Sequence, residues 1–182
     1  ASVSGSVAAP LPRHRAGELG GNFLRDPHCI ASQVRYAFVT DDDGLKVLDI
    51  TDPVRPRPIR AGAVRLRNAG RLTVGRTYAY VANGPEGLAI IDVENPERPR
   101  LDQMFSVGGT INDARAVQIG SVNASQFALV ADGTNGLRVI QLLSPAPVPG
   151  AIGFSPRPTR RLIQTFPMPD DAVAGCRGID AD

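Results

Sequence analysis

The sequence predicts an all-β protein made of repeated antiparallel hairpins. Its 182 residues include 19 glycines and 16 prolines but no tryptophan, a composition typical of short strands joined by tight turns. One pattern occurs three times, in segments that start at Tyr36, Tyr78 and Phe127. These starts are 42 and 49 residues apart, a spacing typical of β-propeller blades with several strands each. We therefore expect a propeller of antiparallel blades.

Each repeat predicts one hairpin. A strand of aromatic, small and apolar residues leads into a polar turn, where Gly44, Gly87 or Gly136 supplies a positive φ angle. The returning strand is rich in leucine and β-branched residues and ends before a proline, which cannot donate a hydrogen bond to the ladder. The predicted hairpins run from Tyr36 to Ile50, from Tyr78 to Val93 and from Phe127 to Leu142.

The apolar residues that alternate within these hairpins are expected to form the core, because successive side chains of a strand point to opposite faces. The predicted core residues are Ala37, Val39, Leu45, Val47, Ala79, Val81, Leu88, Ile90, Ala128, Val130, Leu137 and Val139.

An inner and an outer strand are expected to flank each hairpin. Short apolar stretches that begin at Asp26, Asn68 and Asp113 precede the hairpins and predict the innermost strands. Segments rich in proline and arginine follow the hairpins and predict the outer edges, since both residue types discourage pairing with another chain. Each blade should therefore have about four strands.

The repeats also predict the domain organisation. A segment that begins at Asp171 resembles the start of each repeat. A closed propeller needs at least about four blades. We therefore expect a partial propeller or part of a longer chain; the alternative is a divergent fourth blade formed by the first 25 residues and the tail from Thr159. The predicted units are an extension or linker at 1–25, three propeller repeats within 26–150 (about 26–59, 60–101 and 102–150), and at 151–182 a Pro-rich connector with the start of a further repeat.

Composition argues against several functional classes. The net charge is only +2, from 20 basic and 18 acidic residues, so a nucleic-acid-binding surface has no support. No apolar run approaches the roughly 18 residues of a membrane span. Cys29 and Cys176 lie far apart and outside any CxxC motif, which excludes a local zinc site and a covalently attached haem. The only histidines, His14 and His28, lie in no catalytic motif, so we expect no enzyme, no metal and no bound cofactor.

The returning strands LKVLDITDP and LAIIDVENPERP resemble the LVIVD repeat, a bacterial β-propeller repeat, over roughly residues 26–150. The segments RYAFVTDDDGLKVLDITDP, INDARAVQIG, ADGTNGLRVIQL and GFSPRPTRRLI are similar to propeller proteins of secreted bacterial systems that occur with multihaem c-type cytochromes. The resemblance implies an extracellular or periplasmic scaffold that binds a protein partner such as a multihaem cytochrome, with haem supplied only by that partner. Gln141 departs from the repeat, which has Asp49 and Asp92 at this position.

The residues expected to contact such a partner form two groups. Arginine offers planar donors that suit carboxylates and haem propionates. One group lies before the inner strands and the other on the outer strands: His28, Arg71 and Arg115, and Arg55, Arg57, Arg98 and Arg100. The alternative function is a propeller-type hydrolase or lactonase with a metal in the central channel. The equivalent positions His28, Gly70 and Arg115 do not form a hard-cation site, which favours the scaffold.

Other residues have two interpretations. The run Asp41–Asp43 could bind calcium, but the equivalent turns lack it, which favours a solvated turn. Asp49 and Asp92 are expected to make structural hydrogen bonds to a neighbouring turn rather than form an acid–base pair. His28 could ligate an external haem or respond to protonation, although a structural role is favoured. Cys29 and Cys176 could form a disulfide in an oxidising compartment, but buried free thiols are favoured.

Overall fold

The computed structural model describes residues 23–122, 124–144 and 155–174. Within these ranges the regular structure is entirely β, organised in three four-stranded antiparallel sheets. They contain no helix, and therefore no apolar helix long enough to cross a membrane. The predicted all-β class is confirmed.

Each sheet forms one blade, and its strands follow one another in chain order. Blade 1 contains β1 (Cys29–Gln33), β2 (Tyr36–Asp41), β3 (Gly44–Asp49) and β4 (Arg57–Arg65). Blade 2 contains β5 (Leu72–Gly75), β6 (Tyr78–Ala82), β7 (Leu88–Asp92) and β8 (Arg100–Phe105). Blade 3 contains β9 (Ala116–Val122), β10 (Ser125–Ala131), β11 (Leu137–Leu143) and β12 (Arg161–Phe166). The three predicted hairpins are the second and third strands of the blades.

The first strands β1, β5 and β9 lie side by side and contact one another in turn, whereas the fourth strands form the outer edges. This arrangement is that of a partial β-propeller, and it confirms the predicted inner strands of all three blades and the outer strands of blades 1 and 2. The order follows from short connections between antiparallel neighbours, which let each strand pair with the next one in the chain.

The backbone angle and the close packing of the outer strand both require glycine in the hairpin turns. Gly87 and Gly136 have φ angles of 82° and 85°, which an L side chain rarely adopts. A Cβ at Gly87 would also collide with the carbonyl oxygen of Phe105, and one at Gly136 with that of Phe166. The predicted positive φ is thus confirmed, and it coincides with the closest approach of the outer strand.

Two apolar layers hold the blades together. The layer between blades 1 and 2 contains Phe38 and Val47 from one sheet and Val81 and Ile91 from the other. The layer between blades 2 and 3 includes Tyr80, Ile90, Val130, Ile140 and Leu142. Both faces of blade 2 are therefore buried, and burial raises the pKa of Tyr80. Sheets covered on both faces need near-continuous apolar strands, as observed in LAIID.

Blade 3 differs from the prediction in two respects. Its outer strand β12 pairs with β11 but follows residue 150, so the third unit extends beyond its predicted boundary. A long connection separates the two strands here, in place of the short Pro-containing turns of blades 1 and 2. Leu137 and Val139 were predicted to be core residues, but they are only half-buried. They lie on the face of blade 3 that points away from blade 2, whereas Ile140 and Leu142 point toward it.

Packing between the blades predicts that Ile90→Ala strongly lowers the stability of the protein. Ile90 is completely buried, so removal of its side chain leaves a cavity and should lower the free energy of unfolding by about 2–5 kcal/mol. Ile30→Ala is the matched control, because Ile30 is 65% exposed and its loss should cost less than about 0.5 kcal/mol. Urea unfolding followed by circular dichroism measures both. Equal destabilisation by the two substitutions would contradict this packing.

Candidate functional site

A fully buried polar side chain begins the turn of each hairpin. Asp41, Asn83 and Asp132 occupy this position, each with 0% exposure. Each accepts a hydrogen bond from a backbone N–H of the loop before the first strand of its blade, which we call the leading loop. The donors are Arg25 at 2.8 Å, Asn68 at 3.0 Å, and Asn112 and Asp113 at 3.2 and 2.8 Å. The turn residue thus fastens the leading loop to the hairpin.

A cation accompanies the buried carboxylate wherever one is present. Lys46 Nζ lies 2.6 Å from Asp41 Oδ2, and Arg138 Nε lies 2.9 Å from Asp132 Oδ2. In blade 2 the polar residue is the uncharged Asn83, and Ala89 takes the position of the cation. The three repeats therefore match the charge of the turn to the charge of the third strand, since an unpaired buried charge is strongly unfavourable.

This pairing corrects the prediction for Asp41–Asp43. Asp41 is enclosed rather than solvated, and Asp43 bonds to Lys46 at 2.7 Å and to Arg25 at 3.1 Å. Burial acts to lower the pKa of Lys46, but the hydrogen bonds to Asp41 and Asp43 outweigh it and raise that pKa. The hydrogen bond from Lys46 lowers the pKa of Asp43. Protein cations thus occupy the place that calcium would take, and of the three aspartates only Asp42 is exposed, as predicted for a solvated turn.

The leading loops place three different residues at one backbone position. The N–H groups of His28, Gly70 and Arg115 each donate a 2.8 Å hydrogen bond to a carbonyl at or just beyond the second strand of their own blade. The acceptors are Thr40, Ala82 and Ala131. The equivalence inferred from the sequence therefore exists in the structure, and the side chains at this position project from the same end of the blades.

Arg115 is held by two carboxylates. It contacts Asp113 at 2.7 Å and Asp171 at 3.0 Å, and the hydrogen bonds to these residues raise its pKa. Asp171 belongs to the segment that resembles the start of a repeat. The neighbouring Ala172 forms a backbone bridge with Gly133, as Ala114 does with Gly84 one blade earlier. Arg115 thus links consecutive leading loops.

His28 lies among acidic groups. Its Nδ1 is 2.6 Å from the carbonyl oxygen of Ala69, and its Nε2 is 3.2 Å from Asp42 Oδ1. Asp26 joins this group, and one ligand atom of each of the three side chains lies within 4.8 Å of the others. Sequence reasoning singled out His28 but missed Asp26 as a neighbour of Asp42. Two features of the sequence could have indicated this contact: the short spacing between Asp26 and His28, and Asp42 at a turn position where the other two hairpins have glycine.

The prediction that Arg55, Arg57, Arg98 and Arg100 lie on the outer strands is only half right. Arg57 and Arg100 are the first residues of β4 and β8, whereas Arg55 and Arg98 lie in the turns before these strands, because the ladder begins only after the prolines Pro56 and Pro99. All four lie at the opposite end of blades 1 and 2 from the leading loops. Arg55, Arg57, Arg98 and Arg100 are all exposed, as is Arg71 in the leading loop of blade 2. Among the residues that the structure describes, none of these five guanidinium groups forms an ion pair or a side-chain hydrogen bond. They are therefore available to a partner, whereas the side chain of Arg115 is engaged within the protein.

The repeated aspartates Asp49 and Asp92 have the predicted structural role. Asp49 accepts a hydrogen bond from the backbone N–H of Thr51 at 2.8 Å, and Asp92 accepts one from that of Glu94 at 2.9 Å. The hydroxyl and N–H of Thr51 together lower the pKa of Asp49. These carboxylates stabilise the turns before the outer strands.

Of the two cysteines, Cys29 lies within the described residues. Cys29 is a half-buried free thiol whose Sγ lies 3.9 Å from the carbonyl oxygen of Leu72. Cys176 lies outside the described residues.

The charge matching in the turns predicts that Lys46→Ala destabilises blade 1 more than the double substitution Asp41→Asn/Lys46→Ala. The single substitution leaves a buried carboxylate without its closest cation and should cost about 3–5 kcal/mol. The double substitution reproduces the neutral pair of blade 2 and should recover part of that loss. Chemical denaturation of both variants provides the measurement. A double variant that is less stable than the single one would refute the matching.

Comparison with protein-family models finds the LVIVD repeat at residues 31–58 and 66–107. These segments lie in blades 1 and 2, while blade 3, with Gln141 in place of the repeated aspartate, lies outside them. No curated protein and no solved structure matches the chain. The chain thus carries two segments that match the LVIVD repeat, one in each of its first two blades.

Proposed function

We propose that the chain is a non-catalytic interaction module that binds an acidic protein surface. The observation that carries this proposal is a group of exposed arginines where the outer strands begin, none of which has an ion-pair partner among the described residues: Arg55 and Arg57 in blade 1, and Arg98 and Arg100 in blade 2. An unpaired guanidinium group can form bidentate hydrogen bonds with a carboxylate, and it does so without first breaking an internal contact.

The rigidity of the blades favours such a role. The outer strands pair in register with β3 and β7, where Arg57 lies opposite Asp49 and Arg100 lies opposite Asp92. Arg57 and Arg100 are therefore placed by the sheets, while Arg55 and Arg98 lie in the preceding turns, which their N–H groups close by donating to the carbonyl oxygens of Asp52 and Asn95. A preformed surface loses little conformational entropy when it binds.

The resemblance to secreted propeller proteins supports a proposal for the binding partner and for the cellular compartment. We propose that the protein is exported to the periplasm or the cell exterior, where it binds a multihaem c-type cytochrome in an electron-transfer system. Haem propionates and surface carboxylates of such a partner suit arginine. Haem would reach the complex only as part of the partner, because the sequence contains no CxxCH motif for covalent haem attachment.

The propeller-type hydrolase or lactonase is the weaker alternative. A metal in the central channel needs ligands from several blades, but the equivalent leading-loop positions carry an imidazole, a hydrogen atom and a guanidinium group. Arg115 is moreover paired with Asp113 and Asp171 and repels a metal cation. These side chains favour binding without catalysis.

Charge reversal tests the proposal. The variants Arg55→Glu/Arg57→Glu and Arg98→Glu/Arg100→Glu should each weaken binding to a purified multihaem c-type cytochrome about tenfold or more, and they should reduce the dependence of binding on salt. Isothermal titration calorimetry at two ionic strengths measures both effects. The melting temperature should fall only slightly, because these side chains are exposed, although one glutamate of each variant faces Asp49 or Asp92 across the ladder.

A double variant elsewhere provides the control. Arg65→Glu/Arg67→Glu makes the same change in net charge, but both exposed residues lie at the other end of blade 1, where Arg65 is the last residue of β4 and pairs with Gly44. Arg67 makes only a long ion pair with Glu86, at 4.0 Å. Equal weakening by all three double variants would show a non-specific charge effect and would exclude Arg55, Arg57, Arg98 and Arg100 as the interface.

A further inference from the structure

We infer that Asp26, His28 and Asp42 form a binding site for a divalent transition-metal ion. One ligand atom from each side chain lies within 4.8 Å of the other two, and all three residues are exposed, so an ion can enter from solvent. The three residues come from the leading loop and the hairpin turn of blade 1, which pair side by side. Such a site does not depend on the docking function proposed above.

The orientation of the imidazole is already suitable. The carbonyl oxygen of Ala69 can only accept a hydrogen bond, so the Nδ1 of His28, 2.6 Å away, carries the proton. The lone pair of Nε2 then points toward Asp42, whose Oδ1 is 3.2 Å away. A ring nitrogen that donates to a carbonyl while the other binds the ion is typical of metal-ligating histidines. Two tetrahedral ligands about 2.0 Å from zinc are about 3.3 Å apart, so this pair needs almost no movement.

The two carboxylates also lack a permanent cation. Within the described ranges, the only potential cation beside Asp42 is His28, which carries a charge only when protonated, and no cationic side chain pairs with Asp26. The nearby Lys46 is already bound by Asp41. A divalent ion would therefore neutralise charge that the protein itself leaves unbalanced.

The other blades show how this position is usually balanced. In blade 3, Arg115 takes the place of His28 and binds two carboxylates, Asp113 and Asp171. In blade 2 the position is Gly70, with an asparagine and a glycine where blade 1 has Asp26 and Asp42. Blade 1 alone among the three combines carboxylates with an imidazole, which can serve as a metal ligand where arginine cannot.

The ligand types identify the ion. One imidazole and two carboxylates suit zinc and related transition ions, whereas calcium and magnesium prefer ligand sets made only of oxygen. Three protein ligands leave a fourth tetrahedral position for water. We therefore choose zinc as the probe.

Calorimetric titration of the chelator-treated protein with zinc chloride tests the site. We expect one zinc ion per chain, with binding at least about tenfold weaker in His28→Ala and in Asp42→Asn. His14→Ala is the matched control, because His14 and His28 are the only histidines, and this variant should bind zinc like the wild type. Zinc should also raise the melting temperature of the wild type but not of His28→Ala.

The variant His28→Arg provides an independent check. It reproduces blade 3, where a permanent cation replaces the ion, and should fold normally without binding zinc. If the wild type binds no zinc, if His28→Ala or His28→Arg binds it as tightly as the wild type, or if His14→Ala alone abolishes binding, the assignment of the site to these three residues is wrong.

Discussion

The rest of each blade depends on the buried polar side chain that begins its hairpin turn. A carboxylate removed from water costs several kcal/mol unless a cation and hydrogen-bond donors replace the lost hydration. Asp41 and Asp132 meet this requirement through Lys46 and Arg138, together with backbone N–H groups of the leading loop and, for Asp41, of the turn itself. Asn83 needs no cation, and the chain provides none opposite it. This interaction positions the leading loop and thereby the start of the inner strand.

The hairpins anchored in this way form the layers between the blades. Side chains at alternate positions of the second and third strands point to opposite faces, so one sheet can contribute to two layers. Tyr80 and Ile90 face blade 3, while Val81 and Ile91 face blade 1. Each layer is filled by two sheets, so the burial of a residue depends on which neighbouring blade covers it. The half-buried Leu137 illustrates this dependence.

The side chains that differ most between the blades lie at positions held only by backbone hydrogen bonds. The N–H group of the leading loop makes the same hydrogen bond in all three blades, whichever side chain is attached. This position can therefore carry the imidazole of His28, the hydrogen atom of Gly70 or the guanidinium group of Arg115 without disturbing the sheet. The side chains of Arg57 and Arg100 are similarly free to vary, because the ladder that holds the outer strands uses only main-chain groups.

The sequence by itself determined the three hairpins and the turn glycines, because strand alternation and turn chemistry are local properties. It also indicated that His28 and Arg115 are equivalent. It did not place β12, because a long connection separates this strand from β11, its partner. Only the tertiary structure decided that Asp41 is buried while Asp42 is exposed, since adjacent residues of one acidic run differ only in what surrounds them. The contact between Asp42 and Asp26 likewise arises from pairing between segments distant in sequence, because a side chain acquires its neighbours, and hence its chemistry, only when the strands come together.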